Sequence, residues 1–314
     1  MIRSRSGFVD LQTAAAILRA GDICAFATET VYGLGADATN ADAVLKVYEM
    51  KGRPRFNPLI VHCRDRAMAE TLVRFDADAA RLAEAFWPGP LTLVLPMQPD
   101  NGIASIVSAG LDTLAVRVPG HETARTLIAA VGRPVAAPSA NPSGRLSPTR
   151  AQEVIAAFGG KVPVLEGGAC SAGLESTIVA CRDGEAIQLR AGAIAHDEIA
   201  SALGRPLARA DKNSAVTAPG MLARHYAPKT ALRLNVAAPD EGEAYLAFGT
   251  EPAVAGPLRN LSPSGDPKEA ARNLFAMLHD LDAAGVGSIA VAPIPDQGLG
   301  EAINDRLKRA AAKE

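Results

Sequence analysis

The fold is indicated first by residues 23–35, which have the sequence ICAFATETVYGLG. The apolar run from Ile23 to Ala27 has the length and composition of a buried strand. It leads into a segment, Thr28 to Gly35, whose small hydroxyl side chains and glycines are typical of a turn. Ligands of α/β sheets bind at the ends of strands. This stretch therefore predicts an α/β fold whose binding site lies where the strand ends.

Similar patterns continue on both sides of this stretch. Helices are predicted to begin near Asp10, Asn40, Asp76 and His121. Further strands are predicted at residues 58–62, 91–95, 114–118, 134–137, 162–165, 176–181 and 186–190. Strands alternate with helices, but several strands also follow one another directly. The predicted fold class is therefore α/β with a mixed sheet.

The apolar periodicity fades between residues 204 and 230 and then resumes. We predict a large domain over residues 1–205, a linker over 206–230, and a small C-terminal α/β domain over 231–314. A linker of this length is either disordered or functional. Pro219 and Pro228 bracket Arg224, His225 and Tyr226, an unusual triplet for a passive spacer. The linker is therefore predicted to fold over the active site as a lid, with the small domain anchoring it.

Charge and composition exclude several classes of protein. Lysine and arginine total 32, aspartate and glutamate 34, and the formal net charge of −2 disfavours stable binding to nucleic acid. The four cysteines form no C-x-x-C pair and are expected to be buried and reduced. Neither a signal peptide nor an apolar run of about 20 residues is present, which predicts a soluble, cytoplasmic protein without membrane contact.

Common catalytic motifs are absent or incomplete. Residues 33–38 fit the dinucleotide pattern G-x-G-x-x-G/A. That turn should follow its strand at once, however, and here Thr28 to Tyr32 intervene. The sequence contains no P-loop, no G-x-S-x-G and no H-E-x-x-H motif, and so a P-loop nucleotide site, a serine hydrolase and a protein-built zinc site are not predicted.

Polar clusters at the strand ends instead form an inventory of anion-binding groups. Lys51, Arg53, Arg117 and Arg190 could hold phosphates or carboxylates. Neutral donors follow on loops rich in proline and glycine, namely Ser139, Asn141 and Ser147. No nucleophile–base pair is evident, and this combination suits phosphoryl or nucleotidyl transfer. Taken singly, each residue also has an ordinary structural explanation, such as a solvated loop charge for Lys51 or Arg53, or a structural histidine for His62.

Together, the clusters resemble one family. Lys51-x-Arg53 with Ser139-x-Asn141 resembles the K-x-R…S-x-N signature of the YrdC-like domain over residues 10–205. Residues 28–35, 87–92 and 117–119 match further blocks of that domain in order. The segments 219–221 and 224–228 resemble the linker of the long, two-domain threonylcarbamoyl-AMP synthases. The resemblance implies a twisted mixed sheet around a basic concave cavity, followed by a small Rossmann-like domain.

The resemblance also implies roles for individual residues. Lys51 and Arg53 would be catalytic. Threonine would be bound by Thr30, His62, Arg117, Ala137 and Ser176, with Arg117 on its carboxylate. ATP would be bound by Lys51, Arg53, Asn57, Thr113, Ser139, Asn141, Ser147, Arg190, His225 and Tyr226. No metal ligand would come from the protein, because Mg²⁺ would be held by the ATP phosphates and water.

The implied reaction uses ATP, bicarbonate and L-threonine. A threonine carbamate would attack the α-phosphate and release pyrophosphate, giving L-threonylcarbamoyl-AMP for a downstream tRNA threonylcarbamoyl transferase. Two other classes remain open. One is an RNA-binding module, which the net charge and the lack of interleaved basic and aromatic residues disfavour. The other is an enzyme that uses carbamoyl phosphate, whose larger relatives carry cysteine pairs that this chain lacks.

Overall fold

Eleven strands form the larger sheet of the computed structural model, which describes residues 7–210 and 225–312. In chain order, these strands are β1 Phe8–Val9, β2 Cys24–Phe26, β3 Gly33–Asp37, β4 Ile60–His62, β5 Leu91–Pro96, β6 Thr113–Arg117, β7 Val135–Ala136, β8 Val164–Leu165, β9 Thr177–Arg182, β10 Glu185–Arg190 and β11 Ala208–Arg209. Their order in the sheet is β1-β8-β2-β3-β7-β4-β6-β5-β9-β10-β11. Some neighbours are parallel, such as β4 and β6, and others antiparallel, such as β5 and β6. The predicted mixed sheet is confirmed.

Eight helices of the described chain accompany this sheet and with it form the large unit. They are α1 Leu11–Arg19, α2 Ala41–Lys51, α3 Arg66–Glu70, α4 Ala77–Phe86, α5 Ser105–Ser108, α6 Glu122–Val131, α7 Ala151–Phe158 and α8 His196–Leu203. Asp10, Asn40 and Asp76 cap α1, α2 and α4, because each side chain accepts a hydrogen bond from a backbone N–H of the first turn. These helices therefore begin where the sequence predicted them.

Strand β3 corrects the prediction of a turn over residues 28–35. Gly33 and Gly35 lie in the sheet, where β3 pairs antiparallel with β2 and β7. A Cβ atom on Gly35 would lie 2.7 Å from the ring of Phe26, and one on Gly33 would lie 3.2 Å from Ala137. These glycines therefore allow close packing of a buried strand, and only residues 28–32 form the turn.

The small unit has a parallel sheet in the order β12-β15-β13-β14. Its elements are β12 Ala231–Arg233, β13 Ala244–Ala247, β14 Leu258–Asn260, α9 Pro267–Asp282, β15 Ser288–Val291 and α10 Leu299–Ala311. Its apolar cluster includes Leu274 and Phe275 of α9 and also Val31, Leu146 and Leu174 of the large unit. One apolar cluster therefore joins the two units.

The limits of the predicted domains stay predictions. Strand β11 continues the large sheet to Arg209 by pairing with β10. Ala227 forms an isolated bridge with Arg145 of the large unit. Predicted linker residues 211–224, including Pro219 and Arg224, lie outside the described residues.

Two further features of the described chain are the apolar character of its helices and the state of its cysteines. Over residues 7–210 and 225–312, no helix combines the length and the apolar character that crossing a bilayer requires. Cys24, Cys63, Cys170 and Cys181 are buried and free of disulfides, and burial raises the pKa of each thiol.

Candidate active site

Several strands end at the same edge of the large sheet and build a cavity there. His62 ends β4 and is the register partner of Arg117, which ends the parallel strand β6. Arg190 ends β10, which runs antiparallel to β9. Its Nη2 donates to the carbonyl of Ser176, the residue just before β9. The cavity is lined by Thr28, Thr30, Val31, Gly33, Arg53, Ile60, His62, Arg117, Ala137, Pro138, Ser139, Glu175, Ser176, Arg190, His225 and Tyr226. Ten of the predicted site residues are among them.

Arg117 is held in place from three sides. Its Nε donates to the carbonyl of Gly89 (3.2 Å), and its Nη1 donates to Oγ1 of Thr30 (2.9 Å). Its Nη2 lies 2.6 Å from a carboxylate oxygen of Glu29. Burial alone would raise the pKa of Glu29, but Arg117 and nearby backbone N–H groups outweigh it, and the pKa is lowered. These contacts leave about two of the five guanidinium N–H groups for a ligand.

Arg53 is a buried cation with a different kind of support. Its Nε donates to the carbonyl of Asn57 (3.3 Å), and its Nη2 donates to the carbonyl of Pro58 (2.9 Å). No carboxylate of residues 7–210 or 225–312 forms an ion pair with it. Burial lowers its pKa to about 10, and so it stays charged near neutral pH. A desolvated cation without an acidic partner favours an anionic ligand.

Lys51 lies behind the cavity and not in its lining. Its Nζ donates to the backbone carbonyls of Ser139 (2.7 Å) and Asn141 (2.5 Å). Burial and the nearby Arg53 lower the pKa of Lys51 well below its usual value. Here the amino group of Lys51 holds the loop that carries Ser139, and its predicted contact with ATP stays a prediction.

Glu175 is a cavity residue that belongs to a strand-end polar cluster but has no predicted ligand contact. Its Oε1 accepts a hydrogen bond from Ser147 (2.5 Å), and its Oε2 accepts one from Arg306 (2.8 Å). Burial alone would raise the pKa of Glu175, but Arg306 and Arg190 outweigh it and lower the pKa. Glu175 thus stays ionised in a buried wall. In the sequence, Glu175 directly precedes Ser176 at a strand end, and this position was the available signal. Glu29 likewise closely follows a predicted strand and could have been found in the same way.

Four predicted ATP residues besides Lys51 lie outside the lining. Ser147 is buried against Glu175, and the side chain of Asn141 donates to the carbonyls of Pro142 and Arg145. Asn57 is fully buried, and both of its amide atoms lack a hydrogen-bond partner among the described residues. Thr113 begins β6, at the opposite end from Arg117. Four steps of about 3.3 Å place it roughly 13 Å along that strand.

His62 and His225 are neutral in the folded protein. Burial and the nearby Arg117 lower the pKa of His62 to about 3. Burial likewise lowers the pKa of His225 to about 3. Nδ1 of each ring has no hydrogen-bond partner among the described residues. Both rings can therefore act as neutral donors or acceptors, and neither supplies a positive charge.

The burial of His62 and His225 predicts that the folded protein loses stability in acid. An unfolded histidine binds a proton near pH 6.5, whereas folded His62 stays neutral down to about pH 3. The unfolded state thus binds more protons in that window, and stability falls as the pH decreases through it. Between pH 7 and pH 5, we expect a loss on the order of 2 kcal/mol for each of the two histidines.

The His62→Asn variant should lose about half as much stability as the unchanged protein over this pH interval. Urea unfolding at pH 7 and pH 5 can be followed by the fluorescence of Trp87, the single tryptophan, which lies in the large unit. Comparing the two pH values within each variant cancels any constant effect of the substitution. Equal losses in both proteins would contradict the assignment of His62 as a buried neutral group.

No group of three or more histidine, cysteine, aspartate or glutamate side chains suited to a metal ion occurs in the described ranges. The cavity carboxylate, Glu175, is already paired with Arg306, and nearby Glu29 is paired with Arg117. The described donor set does not fit a metal ion held by the protein alone.

Two family models match consecutive parts of this chain. A family model described as "Telomere recombination" (Sua5, YciO and YrdC) matches residues 16–192, and "Threonylcarbamoyl-AMP synthase, C-terminal domain" matches residues 194–312. Threonylcarbamoyl-AMP synthase of Bacillus subtilis is 39% identical, covering 95% of this chain and 92% of the relative. The one from Pyrococcus abyssi is 38% identical, covering 99% and 96%.

A solved structure extends the comparison to three dimensions. The crystal structure of P. abyssi Sua5 complexed with L-threonine has a TM-score of 0.87 and 38% identity, and the match covers 96% of this chain and 94% of that one. The fold and its arginine-lined cavity, together with these matches, define an enzyme of the nucleotidyltransferase class, as the sequence predicted. The chain belongs to the threonylcarbamoyl-AMP synthase family.

Proposed function

We propose that the cavity binds L-threonine and ATP side by side and, with bicarbonate, makes L-threonylcarbamoyl-AMP for the modification of tRNA. The observation that carries this proposal is the composition of the wall. Arg53, Arg117 and Arg190 are buried there, and Arg53 has no acidic partner among the described residues. Such a wall suits a substrate that brings several negative charges.

The threonine subsite is proposed around Arg117. The threonine carboxylate would take the guanidinium N–H groups that Thr30, Gly89 and Glu29 leave available. Thr30, His62, Ala137 and Ser176 would enclose the rest of the amino acid. The Oγ of Ser176 is itself fixed by Thr92 (2.7 Å) and by Nη2 of Arg190 (3.1 Å), and so this subsite is largely preorganised.

The ATP subsite is proposed around Arg53, Arg190 and Ser139. After the contacts to the carbonyls of Asn57 and Pro58, Arg53 retains about three N–H donors for phosphate oxygens. Asn57 stays a proposed ATP residue because its backbone carbonyl anchors Arg53. Asn141, Ser147 and Thr113 remain proposed ATP residues, and Lys51 would act by holding the Ser139 loop.

The proposed reaction needs no protein nucleophile. The threonine amine adds to carbon dioxide supplied by bicarbonate and loses a proton, forming a carbamate. A carbamate oxygen then attacks the α-phosphate of ATP, a P–O bond forms, and the bond to the β-phosphate breaks to release pyrophosphate. Arg53 and Arg190 would stabilise the developing charge. Mg²⁺ is proposed to arrive with ATP, held by phosphates and water and not by protein carboxylates.

The decisive experiment is mass spectrometry and pyrophosphate measurement with ATP, Mg²⁺, bicarbonate and threonine. We expect pyrophosphate release to require threonine and bicarbonate together, and a product with the mass of threonylcarbamoyl-AMP. Carbamoyl phosphate in place of bicarbonate is the control and should not support the reaction. Turnover of ATP that ignores threonine or bicarbonate would refute the proposal. We further propose a cytoplasmic location and transfer of the product to a tRNA threonylcarbamoyl transferase.

The lid is proposed to act through His225 and Tyr226. Both are buried in the cavity lining, and the two rings contact each other at 4.1 Å between centroids. They would exclude water from a carbamate and a mixed anhydride that hydrolyse readily. The predicted Arg224 contribution lies outside the described residues.

Replacing both residues with alanine should lower product formation by about tenfold or more and increase the share of ATP that ends as free AMP. Chromatography of AMP and product from one reaction measures both effects. Replacing the exposed Phe56 with alanine serves as a control for removal of an aromatic side chain elsewhere. An unchanged ratio of product to AMP in the double variant would contradict the lid.

A further inference from the structure

Helix α10 of the small unit places an arginine directly against two residues of the cavity lining, Glu175 and Tyr226. Arg306 is 1% exposed and is the largest fully buried side chain of the described chain. Its Nε donates to Oε2 of Glu175 (2.8 Å), and its Nη2 donates to the carbonyl of Ala191 (2.9 Å). Its Nη1 donates to the neighbouring Asp305 (2.7 Å). Every guanidinium nitrogen is thus engaged, and two of these contacts cross between the units.

Through Glu175, Arg306 reaches the proposed ATP residues. Glu175 lines the cavity and accepts a hydrogen bond from Ser147 on its other carboxylate oxygen. Glu175 forms an ion pair with Arg306, and Arg190 is a second cation near it. A buried carboxylate that loses its cation is strongly destabilised and either moves or takes up a proton. The positions of the Glu175 and Ser147 side chains therefore depend on Arg306, which is 131 positions from Glu175 in the chain.

Arg306 also supports the proposed lid. Its guanidinium carbon lies 4.9 Å from the ring centroid of Tyr226, a cation–π contact in a desolvated place. Tyr226 also packs near Phe275 of α9, at 5.7 Å between ring centroids. The backbone N–H of His225 donates to the carbonyl of Arg309, one turn further along α10. Both lid residues are thus held by the small unit.

We propose that Arg306 is a positioning residue for the reaction: it fixes Glu175 and Tyr226 in the cavity wall, and the small unit thereby completes a site built by the large one. This inference rests on the proposed function. It gives the small unit a specific part in catalysis, beyond tethering the linker.

The test compares Arg306→Met, Glu175→Gln and the double variant in the full-length chain, with kcat and KM for ATP and threonine as readouts. Arg306→Met keeps the length of the stem and removes the ion-pair partner of Glu175, and we expect kcat/KM for ATP to fall by about 10²-fold. The double variant removes both charges while keeping a hydrogen-bond acceptor for Ser147. It should recover at least about tenfold of the loss, because replacing a whole buried pair is far less costly than breaking it.

Arg209→Met is the matched control. It removes an arginine–carboxylate pair between the same units, with Glu301 of α10, but at the surface, where both side chains are partly exposed. Exposed ion pairs contribute little to stability, and so the kinetics of Arg209→Met should stay near those of the unchanged protein. If Arg306→Met does not fold, Arg306→Lys decides, since lysine keeps the charge but cannot reach Glu175, Ala191 and Tyr226 together.

Three results would overturn the inference. One is an unchanged kcat/KM in Arg306→Met, or in Arg306→Lys if that variant has to be used. Another is a loss that matches only the reduced folded fraction, with KM unaltered. The third is a double variant no better than Arg306→Met. The unchanged protein is assayed first: if it fails to couple pyrophosphate release to threonine and bicarbonate, the proposed function falls and the inference with it.

Discussion

Replacing Arg117 with alanine is expected to lower kcat/KM for threonine by about 10³-fold, since removing one partner of a buried charge pair costs about 2–5 kcal/mol. Arg117 is 3% exposed and is fixed by Glu29, Thr30 and Gly89. The proposed threonine carboxylate would lose its cation, and the negative charge of Glu29 would remain nearby. Steady-state kinetics with threonine as the varied substrate measures the effect.

A second variant separates threonine binding from folding. Arg117→Ala with Glu29→Gln removes both buried charges and should recover stability without recovering the threonine KM. Arg182→Ala, which breaks an exposed pair with Asp112, is the control and should leave kcat/KM near its original value. Recovery of threonine affinity in the Glu29 double variant would show that Arg117 has only a structural role.

Replacing Arg53 with alanine is expected to lower kcat by about 10²–10³-fold, the loss of roughly 3–4 kcal/mol typical of one charge-stabilising donor in a water-excluded site. The guanidinium lines the cavity, is anchored by two backbone carbonyls, and has no acidic partner among the described residues. Its charge is therefore available to the phosphates as pyrophosphate leaves.

The neighbouring Arg55 provides the control for Arg53. It lies two residues further along and is exposed, and so Arg55→Ala should change kcat little. Single-turnover measurement of pyrophosphate release at saturating ATP separates the chemical step from binding. A loss of only a few-fold in Arg53→Ala would mean that this cation does not face the transferring phosphate.

The strand-end clusters were predictable because each is a local pattern. Apolar runs such as 58–62 and 114–118 indicate strands by themselves, and the polar residue that ends each one marks the edge where ligands bind. The helix starts at Asp10 and Asn40 follow from capping chemistry within three residues. The prediction of a turn over residues 28–35 was wrong at Gly33 to Gly35 for a related reason. Gly33 and Gly35 indicate a turn locally, and only their contacts with Phe26 and Ala137 explain glycines in a strand.

The sequence by itself determined the α/β class, the family and most of the residues that meet in the cavity. The tertiary structure decided how those residues are supported. His62 lies beside Arg117 because of the register between their strands, and Glu29 forms an ion pair with Arg117. Arg306 contacts Glu175, which is 131 positions away in the chain. Charge pairs of this kind have no local periodicity. Burying a charge is costly unless it is paired. The partner is therefore whichever oppositely charged group the fold brings close, at any distance along the chain.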